Sequence, residues 1–195
     1  MNRTEIIQHC IDTIQASSYL EIGIDTGKFF NAINCESKTS VDPAKGRYQH
    51  AEPTHKMTSD EFFAQNKQQF DVIFIDGMHE ADYVERDINN SIACLNDNGY
   101  IVCHDMCPET KEAQIVPRNT TVWNGDCWKA WVRIRCSNPE LRMVVVNTDH
   151  GCGVIQKGTQ QLLDTKGMDL TYENFDSNRV EWLNLIDVDQ LHEYM

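Results

Sequence analysis

Between residues 19 and 105 the chain alternates short apolar runs with stretches whose apolar residues recur three and four apart. Strands are read at 19–22, 38–41, 70–76 and 100–103, the first, third and fourth of them rich in apolar residues, with a short further strand at 54–57 after the polar stretch 46–53. Helical spacing appears at 28–34, through Phe29, Phe30 and Ile33, and at 83–95, through Val84, Ile88, Ile92 and Leu95. Residues 58–63 open a further helix with acids in the first turn. A leading helix over 4–16, capped by Thr4, presents Ile6, Ile7, Cys10, Ile11 and Ile14 to the same body. Such alternation predicts a doubly wound, mostly parallel sheet with helices on both faces. Right-handed crossovers then place a ligand cleft at the carboxyl ends of the strands.

Further along, 107–124 reads as an irregular loop beside that cleft, of the kind that walls a substrate. A helix over 126–135 follows, then strands at 143–146 and 152–156 joined by Asn147-Thr148-Asp149-His150-Gly151. A connection that short makes the pair antiparallel. The expected fold is therefore α/β and Rossmann-like: seven strands, mostly parallel, with a terminal antiparallel hairpin. At 195 residues the chain is expected to form a single domain. Its core spans about 17–157, and an acidic extension covers about 158–195, helical over 178–186.

Tyr19 to Gly27 reads Tyr-Leu-Glu-Ile-Gly-Ile-Asp-Thr-Gly, a strand turning into a helix through two glycines four residues apart. The dinucleotide fingerprint needs a further glycine where Asp25 stands. An acid there repels a pyrophosphate and suits a ligand with an amino group. Other polar residues gather at strand ends: Asp42, Asp76 with His79, and His104 with Asp105. Asp42 lies 15 residues after Gly27. A carboxylate roughly there accepts hydrogen bonds from ribose hydroxyls, although Asp42-Pro43 also reads as a turn.

Composition excludes several classes. Net charge is −13, from 30 acids against 17 bases, and no basic run is present, which argues against nucleic acid. No stretch approaches ~18 apolar residues, so no membrane span is expected. The start lacks a signal-like apolar segment, and eight scattered cysteines without Cys-x-x-Cys read as reduced thiols in a cytoplasmic protein. Cys103, His104, Cys107 and Cys127 fit the spacing of no common zinc module.

The glycine turn resembles motif I of the class I S-adenosylmethionine (SAM)-dependent methyltransferases, acid-x-Gly-x-x-x-Gly. Phe-Ile-Asp-Gly-Met-His, a following tyrosine, Asp87 and a later strand ending His-Asp resemble one branch of it, the macrocin-type sugar O-methyltransferases. The antiparallel pair is a further trait of that superfamily. The resemblance implies that Glu21, Gly23, Asp25 and Gly27 line the methionine half of SAM, with Asp76 beside them. It implies that Asp42 holds the ribose, and that Ser59 and Asp60 lie near the adenine unless they only cap a helix. His79 stands where metal-dependent relatives carry a catalytic lysine, as a base or as a loop hydrogen-bonder. Asp76, His104 and Asp105 match the positions that bind magnesium in catechol O-methyltransferase, which uses oxygen ligands at the adjacent pair. A histidine there implies a different divalent metal such as manganese, or no ligand role, or no metal.

The implied activity is methyl transfer to an oxygen of a small polar acceptor such as a sugar or glycan precursor. Rival readings are a nicotinamide- or nucleotide-sugar-binding oxidoreductase or epimerase, and a non-catalytic SAM-binding module. Trp123, Trp128 and Trp131 read either as core or as a wall for a sugar face. The acidic terminal segment packs on its own domain or on a second copy in a homo-oligomer.

Overall fold

The computed structural model describes residues 1–45 and 51–195; the first five residues of the polar stretch 46–53 lie outside it. Helix α1 (Arg3–Ile14) starts one residue earlier than Thr4 suggests. Asn2 is its cap: the Asn2 side chain accepts from the Glu5 amide at 3.2 Å, and the Glu5 carboxylate accepts from the Asn2 amide at 2.8 Å. This reciprocal box satisfies two orphan donors, which Thr4, inside the first turn, cannot do.

There follow β1 (Ser18–Ile22), α2 (Lys28–Ala32), β2 (Ser37–Val41), α3 (Ser59–Gln65), β3 (Phe70–Ile75), α4 (Ala81–Cys94) and β4 (Leu95–Cys103). A 3₁₀ turn (Glu112–Gln114) interrupts the long loop. The chain then forms α5 (Cys127–Ser137), β5 (Leu141–Val146), β6 (Cys152–Lys157), α6 (Tyr172–Leu183), β7 (Leu185–Ile186) and α7 (Leu191–Tyr194). The sheet has seven strands in the order β2-β1-β3-β4-β6-β5-β7. Strands β2, β1, β3 and β4 are mutually parallel, and β6 is antiparallel to both β4 and β5.

Three local expectations are corrected. Residues 54–57 form only one isolated bridge, His55 to Val41. Their backbone is held instead by Ser40, whose hydroxyl accepts from the Thr54 amide at 2.9 Å and whose carbonyl accepts from His55 at 2.9 Å. The seventh strand is β7, parallel to β5 at the far edge. The terminal helix stops at Leu183, because Asn184 turns left-handed at φ 49°. Residues Asn96–Gly99 form a bulge inside β4: Phe70 pairs with Leu95 and Val72 with Tyr100, so all four face Asp71 alone.

Side chains alternate strictly across the sheet. Leu20, Ile22, Ile73, Ile75, Ile101 and Cys103 face α3 to α6, where Phe62, Ile88, Trp128, Trp131, Phe175 and Trp182 complete one core. Tyr19, Val72, Phe74, Tyr100 and Val102 face the other side, covered by Ile6, Ile7 and Cys10 of α1 and Leu191 of α7. Burial on both faces explains the unbroken apolar runs of the parallel strands. The acidic terminal segment is part of this packing, with Phe175, Trp182, Leu183 and Leu191 fully buried. No helix among the described residues is long and apolar enough to cross a membrane.

Candidate active site

A cavity of about 1020 Å³ opens at the carboxyl ends of β1 to β4. Its walls are the loops after those strands, the start of α3, the segment 118–123, and Arg3 and His150. Close backbone approach builds its floor. Gly23 sits at φ +83°, and a Cβ there would lie 2.3 Å from the Asp76 carbonyl oxygen, so the loops after β1 and β3 touch only because this residue is glycine.

Asp42 fastens the glycine loop. Its Oδ2 accepts from the Ile24 amide at 3.0 Å, and its Oδ1 accepts from the Ala44 amide at 2.7 Å. Gly23, Asp25, Asp42, Ser59, Asp60, Asp76, His79, His104 and Asp105 all line the cavity, whereas Glu21 and Gly27 do not. Gly27 is the cap of α2 at φ +75°. Glu21 points to the opposite face of the sheet, where its Oε2 accepts the Tyr19 hydroxyl at 2.5 Å. Burial pushes the Glu21 carboxyl up to about 8. Asp60 is committed at the rim, taking two hydrogen bonds from Arg86 at 3.2 and 3.0 Å. Of the three tryptophans in question, Trp128 and Trp131 are fully buried core, and Trp123 lines the cavity.

Two histidines and two carboxylates converge at the deep end. His79 Nε2 lies 3.3 Å from Asp76 Oδ1, and His79 Nδ1 lies 3.2 Å from Asp105 Oδ2. His104 Nδ1 lies 2.9 Å from Asp105 Oδ2 and 3.4 Å from Asp76 Oδ1. The other nitrogen of His104 bonds the Asp149 carbonyl at 2.7 Å. A carbonyl only accepts, so Nε2 carries the hydrogen. Burial opposes charge on both histidines, but the surrounding carboxylates prevail and raise the proton affinity of His79 and, further, of His104. Burial likewise opposes charge on Asp76, yet His104 and His79 hold its carboxyl well below the usual range.

An outer layer holds this cluster. Arg3 Nε and Nη2 donate to the two carboxylate oxygens of Asp149 at 2.9 and 3.0 Å, while Nη1 donates to Asp76 Oδ2 at 2.8 Å. Asn124 Nδ2 donates to Asp105 Oδ1 at 2.7 Å. The His79 ring stacks on Trp123 with centroids 5.1 Å apart. Asp105, Asp149 and His150 all adopt left-handed backbone, at φ 63°, 45° and 65°. Strain of this kind gathers where structure around a site enforces it. Arg3, Asn124, Asp149 and His150 carry no sequence signal of their own: one heads an amphipathic helix, and the others read as loop and turn.

Residues 9–106, half of the chain, match the family described as Methyltransferase domain. No curated protein matches the chain. Solved structures share its fold at low identity. An O-methyltransferase of tomaymycin synthesis from Streptomyces achromogenes, in complex with SAM, superposes with a TM-score of 0.58 at 12% identity, covering 80% of this chain and 79% of that one. An O-methyltransferase from Bacillus cereus, in complex with S-adenosylhomocysteine (SAH), gives 0.57 at 13% identity, covering 81% and 80%. The methyltransferase MycE of mycinamycin biosynthesis, in complex with magnesium, SAH and mycinamycin VI, gives 0.51 at 15% identity, covering 85% of this chain and 51% of that one. The chain belongs to the Methyltransferase domain family, and its sheet is that of the class I SAM-dependent methyltransferases.

Proposed function

We propose that this protein transfers the methyl group of SAM to an oxygen of a small polar acceptor. The observation that carries the reading is His79, set between Asp76 and Asp105 in the same cavity as the glycine loop. Bound SAM supplies an electrophilic methyl group on a sulfonium. The chain's own task is to align the acceptor oxygen with it and remove a proton. As the neutral imidazole, His79 would take the acceptor's hydroxyl proton, and the flanking carboxylates would stabilise the imidazolium that results. The new bond joins acceptor oxygen to methyl carbon; the carbon–sulfur bond breaks and leaves SAH. Gly23, Asp25 and Asp76 would hold the methionine half, Asp42 the ribose, and Ser59 the adenine end. Asp25 in that wall disfavours a dinucleotide pyrophosphate. A sugar or glycan precursor is the acceptor class we favour, because Arg118 and Thr121 line the cavity and offer polar contacts to a hydroxylated ring.

The donor set at the deep end also fits a divalent cation. With Nε2–H fixed on the Asp149 carbonyl, His104 Nδ1 faces Asp105 Oδ2 at 2.9 Å and Asp76 Oδ1 at 3.4 Å, and a cation that displaced the proton favoured there would meet one nitrogen and two carboxylate oxygens. A ligating histidine anchored through its other nitrogen to a carbonyl is the usual outer-shell arrangement. Asp76, His104 and Asp105 would hold the ion, which when bound lowers the pKa of an acceptor hydroxyl. One imidazole with two carboxylates suits manganese or a softer ion better than magnesium.

Calorimetric titration with SAH tests the reading. Micromolar binding is expected, weakened about tenfold or more in Asp42→Ala and unchanged in His79→Gln. In a SAH-release assay over hydroxylated acceptors, His79→Gln should lower turnover by about 10²- to 10⁴-fold. Absence of SAH binding overturns the reading, and binding without transfer to any acceptor favours a non-catalytic SAM-binding module.

A further inference from the structure

Asp126 breaks a local rule close to the proposed base. It stands at the cap position of α5, where an aspartate ordinarily accepts from an amide of its own helix, and it makes no such bond. Its Oδ1 accepts instead from the Ala81 amide, the first of α4, at 2.7 Å. That amide needs an outside acceptor, because Glu80, at the cap position of α4, makes no side-chain bond either. One helix start thus goes without its cap while another, 45 residues away, receives it. Departures of this kind gather at functional sites.

Ala81 lies two residues after His79, and the residues just before Asp126 press on the same stretch. Gly125 is left-handed at φ +63°, and a Cβ there would collide with the His79 carbonyl. Asn124 donates to Asp105 Oδ1, which leaves Oδ2 for the histidines. The Trp123 carbonyl lies 3.3 Å from His79 Nδ1, and its indole lies on the imidazole with the planes 12° apart. That indole is itself fixed, its Nε1 donating to the Ile115 carbonyl at 2.6 Å. The Ala113 carbonyl accepts from the Asn124 and Gly125 amides at 2.8 and 3.1 Å, so the segment is anchored from behind. Four consecutive residues therefore grip His79 and its partner Asp105, and Asp126 is the one that ties the grip to α4.

We propose that Asp126 is a positioning residue for the methyl transfer: by capping α4 from the start of α5 it fixes the His79 backbone, so that the imidazole stays between Asp76 and Asp105 with its ring on Trp123. The inference rests on the SAM reading above and deepens it. Asp126 does not line the cavity and acts only through His79. A lost cap by itself lowers stability modestly. A base displaced by about 1 Å costs about 10²-fold in rate. The two effects therefore separate in experiment.

The test compares Asp126→Ala, Asp126→Asn and Thr171→Ala with wild type in the full-length protein. Asparagine keeps an acceptor for the Ala81 amide and gives up only the ion pair with Lys129. Thr171 caps α6, accepting from the Asn174 amide, and controls for the loss of a cap elsewhere. The measurements are turnover in the SAH-release assay, SAH affinity by calorimetry, and the ring-proton resonances of His79 in histidine-labelled protein at fixed pH, assigned by their loss in His79→Gln. The Trp123 indole shifts those resonances upfield. Asp126→Ala should lower turnover about 10- to 100-fold, leave SAH affinity within about twofold, and move the His79 resonances toward the unstacked position. Asp126→Asn and Thr171→Ala should match wild type in all three. Unmoved resonances in a folded Asp126→Ala overturn the proposal, and so does a moved ring with unchanged turnover. If wild type binds no SAH or transfers no methyl group, the methyltransferase reading fails and takes the catalytic half of the proposal with it, while the resonances still decide whether Asp126 sets the ring. Thermal unfolding checks each variant, and if Asp126→Ala is unfolded, Asp126→Gly, which a cap position tolerates better, takes its place.

Discussion

Replacing Glu21 by glutamine should change how stability depends on pH, and the size of the change follows from its surroundings. Glu21 is 1% exposed on β1, beneath α1, with the Tyr19 hydroxyl on its Oε2. Burial raises its carboxyl from 4.5 to about 8, with the nearby Asp76 charge acting in the same direction. Between those values the folded protein keeps a proton that the unfolded chain has shed. Stability contributed by this group is therefore full below pH 4.5, falls as pH rises, and levels off above pH 8. At 1.36 kcal/mol per unit, the loss is about 3 kcal/mol by pH 7 and about 5 kcal/mol above pH 8. Glutamine has no such proton to lose. It carries a constant penalty of about 1–3 kcal/mol for a buried amide N–H without an acceptor, but that penalty has no pH slope. Urea unfolding of wild type and Glu21→Gln from pH 4.5 to 9 measures the difference, in which the titrations of all other groups cancel. Glu21→Gln should gain on wild type steadily across the window. Parallel curves would show that Glu21 is ionised in the folded state and that the argument from burial is wrong.

Two further substitutions probe the frame of the site. Gly23→Ala meets a left-handed backbone and the Asp76 carbonyl 2.3 Å from the new Cβ, so it should cost about 3 kcal/mol in urea unfolding and abolish SAH binding; retention of both would show that the loops after β1 and β3 can part without consequence. Arg3→Met strips Asp149 of its bidentate partner and Asp76 of one of its donors, and should cost about 3 kcal/mol, with Arg3→Lys restoring only part because an ammonium cannot bridge both carboxylates. A loss below about 1 kcal/mol would mean that α1 does not hold the cluster in place.

Much of the architecture was legible because parallel strands buried on both faces are rich in apolar residues, and the chain spells the central ones plainly at 72–75 and 100–103. What escaped was short or remote. Strand β7 is two residues long, too few for any period, and forms because Asn184 ends α6 beside the open edge of β5. Arg3 and Asp149 are 146 residues apart and meet only once α1 and the β5–β6 turn are packed at the same strand ends. No local pattern announces that pair.

The acids divide by a rule that strand parity supplies. Asp42, Asp76 and His104 each stand one residue beyond the last residue of β2, β3 and β4, where the backbone leaves the pleat and the side chain is free to turn into the cavity. Glu21 lies inside β1, between Leu20 and Ile22, both of which face α3 to α6. With a period of two, its side chain has to face α1 instead, away from the cavity that its neighbour Gly23 helps to line. Asp60 fails for a different reason: it sits in the exposed first turn of α3, within reach of a guanidinium one helix away. An acid near a strand end is therefore a site candidate only after two questions are answered: whether it lies past the pleat, and whether a cation outside the cavity already holds it. Asp87, on no strand at all, lines the cavity while the guanidinium beside it in sequence is spent on Asp60, so the second question separates the two acids.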